Sequence, residues 1–556
     1  MASAGGLLNL IAKGQNNIIL TGNPQKSFFK SSYKRYSNFG LQKFRIDYDG
    51  QRDLQLTTPS QFSFKFPRYG DLIMDTYLVV NLPDIWSPIY PPSSQTNNAW
   101  SAYDYRWIKD IGFQMIQEIT ITCGGQTLQK YSGAYLSAML QRDFTTDQRA
   151  KFNRMSGNTL DINNPALAFG RVNSYPSAYY TSSATGAEPS IRGRAIYIPI
   201  HTWFSLNSGM AFPLICLQYN ELYLNVTLRP IQELFQVRDI FDVANNFPYI
   251  QPDFNQAQFA MYRFLQTPPS VTLADYENTT TTWNSDVHLL TTQCFLDKEE
   301  QANFAKETQN YLVRDVYEYF FENVVGTKRQ KLFNSNGMVA NWIFYLQRND
   351  VNLRNEWTNY TNWPYENIPG DINIAPSSDP NSPYSTQTIS NVGPLINPNG
   401  TNTGYFITGV FNSDNQKEIL QTMGILYNGN YRETTQPYGV YEYVEPYLRS
   451  PGASTDGLYY YNFCLSTDPF SNNPSGAINN SLFNNRGIEF EIATYLPTID
   501  TANSSFNIIC DSSGNPIGIY KQNYKLYEYT YNLTVFEERW NVLTFQSGNA
   551  GMLYAR

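Results

Sequence analysis

The chain has 556 residues, of which 15% are charged and 15% aromatic, with a formal net charge of -8. That length exceeds what one core usually organises and predicts two domains or more. The acidic balance excludes a protein that coats nucleic acid through a basic face. With 43 tyrosines and so few charges, the surface must be covered by Tyr, Asn, Gln, Ser and Thr, which suits broad β surfaces better than helical enzyme surfaces.

Residues 5–12, GGLLNLIA, predict a short amphipathic piece that packs beneath a neighbour or touches a membrane. Lys13, Gln15 and Asn16 interrupt it too early for a signal peptide, and no run of about 18 apolar residues predicts a membrane span. The local cationic cluster is Lys26, Lys30, Lys34 and Arg35, interleaved with Phe28, Phe29, Tyr33 and Tyr36. Such a pattern fits a segment whose aromatics pack while its lysines stay wet; a single-strand-binding strip or an anionic-lipid contact uses the same residue types.

Further along, period-2 alternation dominates. Phe62, Phe64 and Phe66 share one face, as do Leu222, Leu224, Val226 and Leu228, and as do Tyr527, Tyr529, Tyr531, Leu533 and Val535. Each run predicts a strand with one buried face. Polar loops rich in Gly, Pro and Asn separate them, such as WSPIYPPSSQTNN after Ile85, the stretch 358–403, and NPSGAINN after Asn472. The sum predicts an antiparallel sandwich or barrel. Helical signals are few: SGAYLSAMLQR at Ser132–Arg142 after the turn Cys123-Gly124-Gly125, and DKEEQANFAKETQNYL from Asp297, with an Asp cap and an acidic first turn. The second predicts a connection between two β domains near residue 300. The halves share one weak parallel, a Gly turn leading into a long apolar strand after Gly70 and again after Gly337.

Catalytic constellations are thin. Cys123, Cys216, Cys294, Cys464 and Cys510 form an odd set without a C-x-x-C pair, which predicts reduced thiols. His201 and His288 are the two histidines, with no ligand at metal-binding spacing, and His201 in YIPIHTWF reads as a packed ring. No nucleophile elbow, phosphate loop or dinucleotide fingerprint occurs. Glu299-Glu300, Glu489 with Glu491, and Glu537-Glu538 are carboxylate pairs; Glu489 and Glu491, on one strand face, would line a cleft only in a glycosidase-like sandwich. Asp47 and Asp49 beside Gly50 need no cation to form their turn. Seven N-x-[ST] tripeptides, from Asn225 to Asn532, are what an Asn- and Thr-rich chain produces by chance. The residues therefore assign no catalytic, cofactor or metal site.

The opening GGLLNLIAKGQNNIILTGNPQKSFFKSSYKRYSNF resembles the start of the major capsid proteins of nucleocytoplasmic large DNA viruses, where a Leu-Thr-Gly-Asn-Pro turn, a Phe-Phe-Lys and a Tyr-x-Arg-Tyr-x-Asn-Phe follow in the same order. RYGDLIMDTYLVVNLP, IPIHTWFSLNSGMAFPLICLQYNELYLNVTL, FLDKEEQANFAKETQNYLV, ILYNGNYRETTQPYGVYEYVEPY, NPSGAINNSLFNN and the closing SGNAGMLYAR are similar to later blocks of that family. Leu482 and Phe483 stand where the family carries a basic residue, and the loops at about 86–105 and 358–403 have no matched counterpart.

The resemblance implies an all-β fold: two tandem eight-stranded antiparallel jelly rolls, a double jelly roll with long loops and a few short helices. It divides the chain into an inner-face segment over 1–24, a first roll over 25–300 and a second over 301–556. The implied function is that of a major capsid protein, a homotrimeric capsomer of an icosahedral virion with no enzymatic activity and no cofactor. The implied partners are neighbouring capsomers, minor capsid and penton proteins and an inner membrane surface, with no direct nucleic-acid contact and assembly in the host cytoplasm. Lys26, Lys30, Lys34 and Arg35 are the candidate inner-face contact. The competing readings are a carbohydrate-binding or carbohydrate-cleaving β-sandwich and a minor or scaffold member of the same fold.

Overall fold

The computed structural model describes residues 4–50, 53–90, 101–171, 174–178, 188–240, 248–269, 276–363, 365–366, 393–396, 402–407, 417–471, 473–483, 487–497, 507–510, 516–520 and 529–554. Half of the predicted loop at 86–105, most of that at 358–403, Tyr527, Glu528, Asn399 and Asn503 lie outside these residues, as does the side chain of Cys510.

Sixteen strands build two rolls. The first holds β1 Phe39–Ile46, β2 Ser60–Lys65, β3 Leu72–Leu82, β4 Ile116–Cys123, β5 Gln126–Tyr131, β6 Arg194–Pro199, β7 Leu222–Leu228 and β8 His288–Leu296. The second holds β9 Gln309–Phe321, β10 Thr327–Leu332, β11 Met338–Arg348, β12 Leu420–Tyr427, β13 Asn430–Pro437, β14 Leu458–Asn462, β15 Ile488–Thr494 and β16 Tyr531–Gln546. In the first roll the sheets run β1-β8-β3-β6 and β2-β7-β4-β5. In the second they run β9-β16-β11-β14 and β10-β15-β12-β13. Numbered within each roll, both give 1-8-3-6 and 2-7-4-5, with every pairing antiparallel. This is the jelly-roll order, and it occurs twice.

Local chemistry explains the elements. Phe62, Phe64 and Phe66 are buried, as are Leu222, Leu224, Val226 and Leu228, while their polar alternates stay half-exposed or exposed. The β4–β5 hairpin turns on Gly124 (φ 57°) and Gly125 (φ 83°), and the β12–β13 hairpin on Asn428 (φ 51°) and Gly429 (φ 85°). Both are two-residue loops with positive φ at each central residue, a geometry that matches the twist of the strands. The weak parallel after Gly70 and Gly337 marks β3 and β11, the third strand of each roll. Each of these strands also carries a bulge against its eighth-strand partner.

The two predicted helices form with shifted ends. The first spans Gly133–Asp143 (α1), with Ser132 Oγ accepting from the Tyr135 N–H at 3.3 Å. The second spans only Lys298–Lys306 (α2), capped by Asp297. It is shorter than DKEEQANFAKETQNYL predicts because Gln309–Leu312 already belong to β9, whose ladder pairs along its whole length with β16.

Strand directions separate the two ends of the molecule. Phe39 of β1 lies opposite Leu296 of β8, and Gln309 of β9 opposite Phe545 of β16. That end therefore holds the segment leading into β1, the α2 link, both two-residue hairpin turns and the hairpin after Gln546. The long connections 83–115, 132–193, 229–287, 349–419 and 495–530 all leave from the opposite end.

Candidate interaction surfaces

The predicted basic strip is in a segment that stands clear of the rolls. Residues 4–38 are exposed except for half-buried Asn17, and Leu7, Leu8, Leu10, Ile11, Ile18, Ile19 and Leu20 are all bare. Lys26, Lys30, Lys34 and Arg35 are exposed, and Lys26 Nζ lies 5.1 Å from the Phe28 ring centroid. No carboxylate among the described residues pairs with these four cations. Their interleaved aromatics are uncovered too, with Phe29 wholly exposed. The expected packing of those rings is therefore absent within one chain, and the segment presents both its charge and its apolar groups outward.

The remaining candidates resolve into structural roles. The His201 ring packs on Phe113 and Phe144, with its Nε2 shut off from water, and burial pushes it down to about 4. Glu491 is held by Arg329 at 2.5 Å and by the Tyr431 hydroxyl at 2.9 Å, and Glu489 sits opposite Lys331 on the neighbouring strand. Asp47 pairs with Arg45, and Asp49 is bridged to Ser63, so they do not converge on one point. Glu299 and Glu300 occupy the first turn of α2, where a helix favours negative charge. Cys123, Cys216, Cys294 and Cys464 are free thiols. Among the described residues no group of His, Cys, Asp or Glu is arranged to hold a metal ion, and no helix is long and apolar enough to cross a membrane.

Glu537-Glu538 is the pair whose role sequence reasoning missed. Both carboxylates are fully buried. Glu538 receives Arg142 of α1 at 2.7 Å, the Tyr135 hydroxyl at 2.9 Å and Asn341 Nδ2 at 2.9 Å, with Arg314 at 3.6 Å. Burial alone would raise its pKa, but the Arg142 and Arg314 cations hold it below the usual carboxylate range. Arg142 also grips Asp143 at 2.7 Å, and Asp143 accepts from the Thr467 hydroxyl at 2.6 Å. Arg142, Asp143 and Glu538 thus join the first roll to the second out of reach of water, with the partly exposed Arg314 at their edge. Removing one member of such a set typically costs about 3–5 kcal/mol, since a buried charge is left uncompensated. A Glu-Glu-Arg run inside the aromatic strand TVFEERWNV was the available signal: charges within a buried strand need partners.

Two further contacts extend this seam. At the long-loop end, Asn355 Nδ2 donates to the carbonyls of Gln232 and Phe235 at 2.7 Å each, and Trp357 Nε1 donates to the Glu233 carbonyl at 3.0 Å. At the opposite end, the Gln218 N–H donates to the Gly548 carbonyl at 3.0 Å. Between them Ile343, Tyr345 and Phe536, on the outer face of the β9-β16-β11-β14 sheet, join the apolar cluster of the first roll. The second roll keeps a separate core around Trp342, Phe344 and Phe490.

Comparison with known proteins places this geometry. A family model described as "Major capsid protein N-terminus" matches residues 27–282, and one described as "Large eukaryotic DNA virus major capsid protein" matches residues 300–551. The chain is 24% identical to the major capsid protein of Phaeocystis pouchetii virus, over 99% of this chain and 100% of that protein. It is 23% identical to the major capsid protein of Paramecium bursaria Chlorella virus 1, over 99% and 100%. Among solved structures, the Faustovirus major capsid protein superposes with a TM-score of 0.60 at 14% identity, covering 96% of this chain and 94% of that one. A chain of the PBCV-1 virus capsid gives a TM-score of 0.58 at 20% identity, covering 95% and 100%.

Proposed function

This chain belongs to the family of large eukaryotic DNA virus major capsid proteins, a structural family, and from that premise we propose that it works as a homotrimeric capsomer. One observation carries the reading: a single chain holds two rolls of identical strand order, joined side by side through unlike surfaces. Three such chains closed in a ring present six nearly equivalent sides, a block that tiles a shell as hexagons do. The alternative of a carbohydrate-cleaving sandwich finds no support in Glu489 and Glu491: Glu491 is neutralised by Arg329 on its own sheet, and Glu489 lies in register with Lys331 of the same neighbouring strand.

Polarity follows from the loops. The end with long connections faces outward from the shell, and the end from which residues 4–38 leave faces inward. The chain divides into an inner-face segment over 1–24, a first roll over 25–300 and a second over 301–556. Lys26, Lys30, Lys34 and Arg35 meet minor capsid proteins or the anionic surface of an internal membrane, and penton proteins close the vertices. Assembly takes place in the host cytoplasm, where the free thiols stay reduced.

The native mass tests the reading. Size exclusion with light scattering should give a species of three times 63.7 kDa that persists on dilution; a stable monomer would overturn it. Charge reversal at Lys26, Lys30, Lys34 and Arg35 should leave that trimer intact and block particle formation. Particles forming normally from the reversed chain would remove the inner-face role.

A further inference from the structure

Within one chain the two rolls meet through unlike surfaces. The first contributes α1 and its surroundings; the second contributes the outer face of β9-β16-β11-β14, where Tyr135 and Arg142 reach Glu538 and the Tyr135 ring meets Phe536 edge-on at 5.6 Å. A contact of this kind leaves one unused counterpart on each roll. On the first roll it is the outer face of β1-β8-β3-β6. On the second it is the helix that follows the fifth strand, as α1 does in the first.

That second helix runs over Val440–Arg449, a π turn (Val440–Val444) continued by an α segment (Glu445–Arg449). Its sequence echoes α1: Gly439-Val440-Tyr441 and Arg449 stand where the first roll has Gly133-Ala134-Tyr135 and Arg142. The second version is one residue longer between its Gly and its Arg, and a π turn is how a helix absorbs one extra residue. Tyr441 turns into its own core and donates to the Met423 carbonyl at 2.8 Å. Tyr443, Val444, Tyr447 and Leu448, spaced i, i+1, i+4 and i+5, form one outward stripe. Tyr447 is 82% exposed and Leu448 85%, whereas nine of the eleven residues of α1 are buried. The counterpart face is open at its two edge strands: Phe39 and Leu41, on the outward side of β1, are 52% and 53% exposed, and Tyr197 of β6 is 41% exposed, while Phe304 of α2 packs over Leu72 and Cys294 between them. An exposed apolar helix stripe and an exposed apolar sheet edge, the latter flanked by Lys43 and Arg45, call for a partner.

We infer that the Val440–Arg449 helix of one copy docks on the outer face of the β1-β8-β3-β6 sheet in the first roll of the next copy. The contact repeats between chains what α1 makes within a chain, and it deepens the trimer reading on which it rests. Each copy offers the helix and receives its neighbour's, so the contact is head-to-tail and closes into a ring.

The test uses the full chain carrying Tyr447→Asp and Leu448→Asp. Both side chains are solvated in one copy, so the variant keeps the far-UV spectrum of the parent, while its trimer-to-monomer dissociation constant rises at least about tenfold, as loss of aromatic and aliphatic anchors does. A parent trimer with an equally tight variant trimer overturns the docking and leaves the trimer standing; a parent monomer at every concentration overturns both. A photo-crosslinking benzoylphenylalanine in place of Tyr447, in a mixture of isotopically heavy and light chains, gives a second readout. Heavy-to-light links should fall on the peptides containing residues 39–46, 194–199 or 288–296, and links confined to any other region overturn the proposal even where the double variant misfolds.

Discussion

A single half-buried ring sets part of the acid response. His201 packs between Phe113 and Phe144, and its Nε2 has no partner. Burial therefore favours the neutral ring and pushes it down from the ordinary 6.5 to about 4. The unfolded chain takes up a proton near the ordinary value while the folded chain refuses it, so this residue's contribution is whole above about pH 6.5 and falls away as pH drops towards 4. The full swing is at most roughly 3 kcal/mol. Asp104 and Asp110, both raised to about 6 by burial, work in the opposite direction across the same range, so the slope of the parent alone is not diagnostic. The difference from His201→Phe isolates it. That substitution replaces an unpaired nitrogen by carbon between two aromatic rings, leaving the melting temperature at pH 7.5 unchanged or higher. Between pH 6.5 and 4.5 the variant should then lose less stability than the parent in parallel thermal-shift titrations. Equal losses would mean that the ring is solvated and titrates normally.

At the scale of elements, the two hairpin turns specify matching corners of the two rolls. Gly429 holds φ 85° between β12 and β13, where a side chain meets its own backbone carbonyl and a β-branched one fits worst. Gly429→Val should cost about 1–2 kcal/mol and lower the melting temperature, whereas Gly429→Asn, which tolerates that region, should cost far less. Equal melting points for the two variants would show that strand pairing and not the turn sets this corner. Such turns were readable from sequence because Gly-Gly and Asn-Gly between alternating apolar runs admit few other conformations. The strands around Phe62 and Leu222 were readable for the same local reason, as was the run from Tyr527 to Val535, of which the described strand begins at Tyr531. The repeat of the rolls was not, apart from the Gly-led strands after Gly70 and Gly337, because β3 and β11 share a place in the sheet and a bulge but few residues. The end of α2 was misplaced because its polar tail keeps helical propensity up to Asn310, and only the distant β16 draws Gln309–Leu312 into a ladder. The Arg142–Glu538 seam lay furthest out of reach: its partners are 396 residues apart, and alternation says which face of a strand is buried without saying against what.

At the scale of the molecule, the seam decides whether the rolls can exist separately. Ile343, Tyr345, Tyr460 and Phe536 of the second roll are buried in the apolar cluster of the first. Arg142 and Asp143 of the first depend on Glu538 and Thr467 of the second. A fragment over 25–300 keeps every strand of its jelly roll, yet it loses the carboxylate opposite Arg142 and bares the apolar surface that the second sheet covers. Exposed apolar area of that kind drives aggregation, and Arg142 keeps only Asp143 of its two carboxylate partners. The fragment expressed alone should therefore be recovered mainly as aggregate, and co-expression with 301–556 should return a soluble complex that co-purifies without a covalent link. Its partner should fare better, since the second roll keeps a core of its own around Trp342, Phe344 and Phe490. Solubility and light scattering of each fragment, alone and together, check the asymmetry. A 25–300 fragment that is monodisperse by itself would mean that the seam is a docking contact between two finished domains. Aggregation rescued by 301–556 would mean that the two rolls complete each other, so that the side-by-side unit, and not the single roll, is what folds and what the shell is built from.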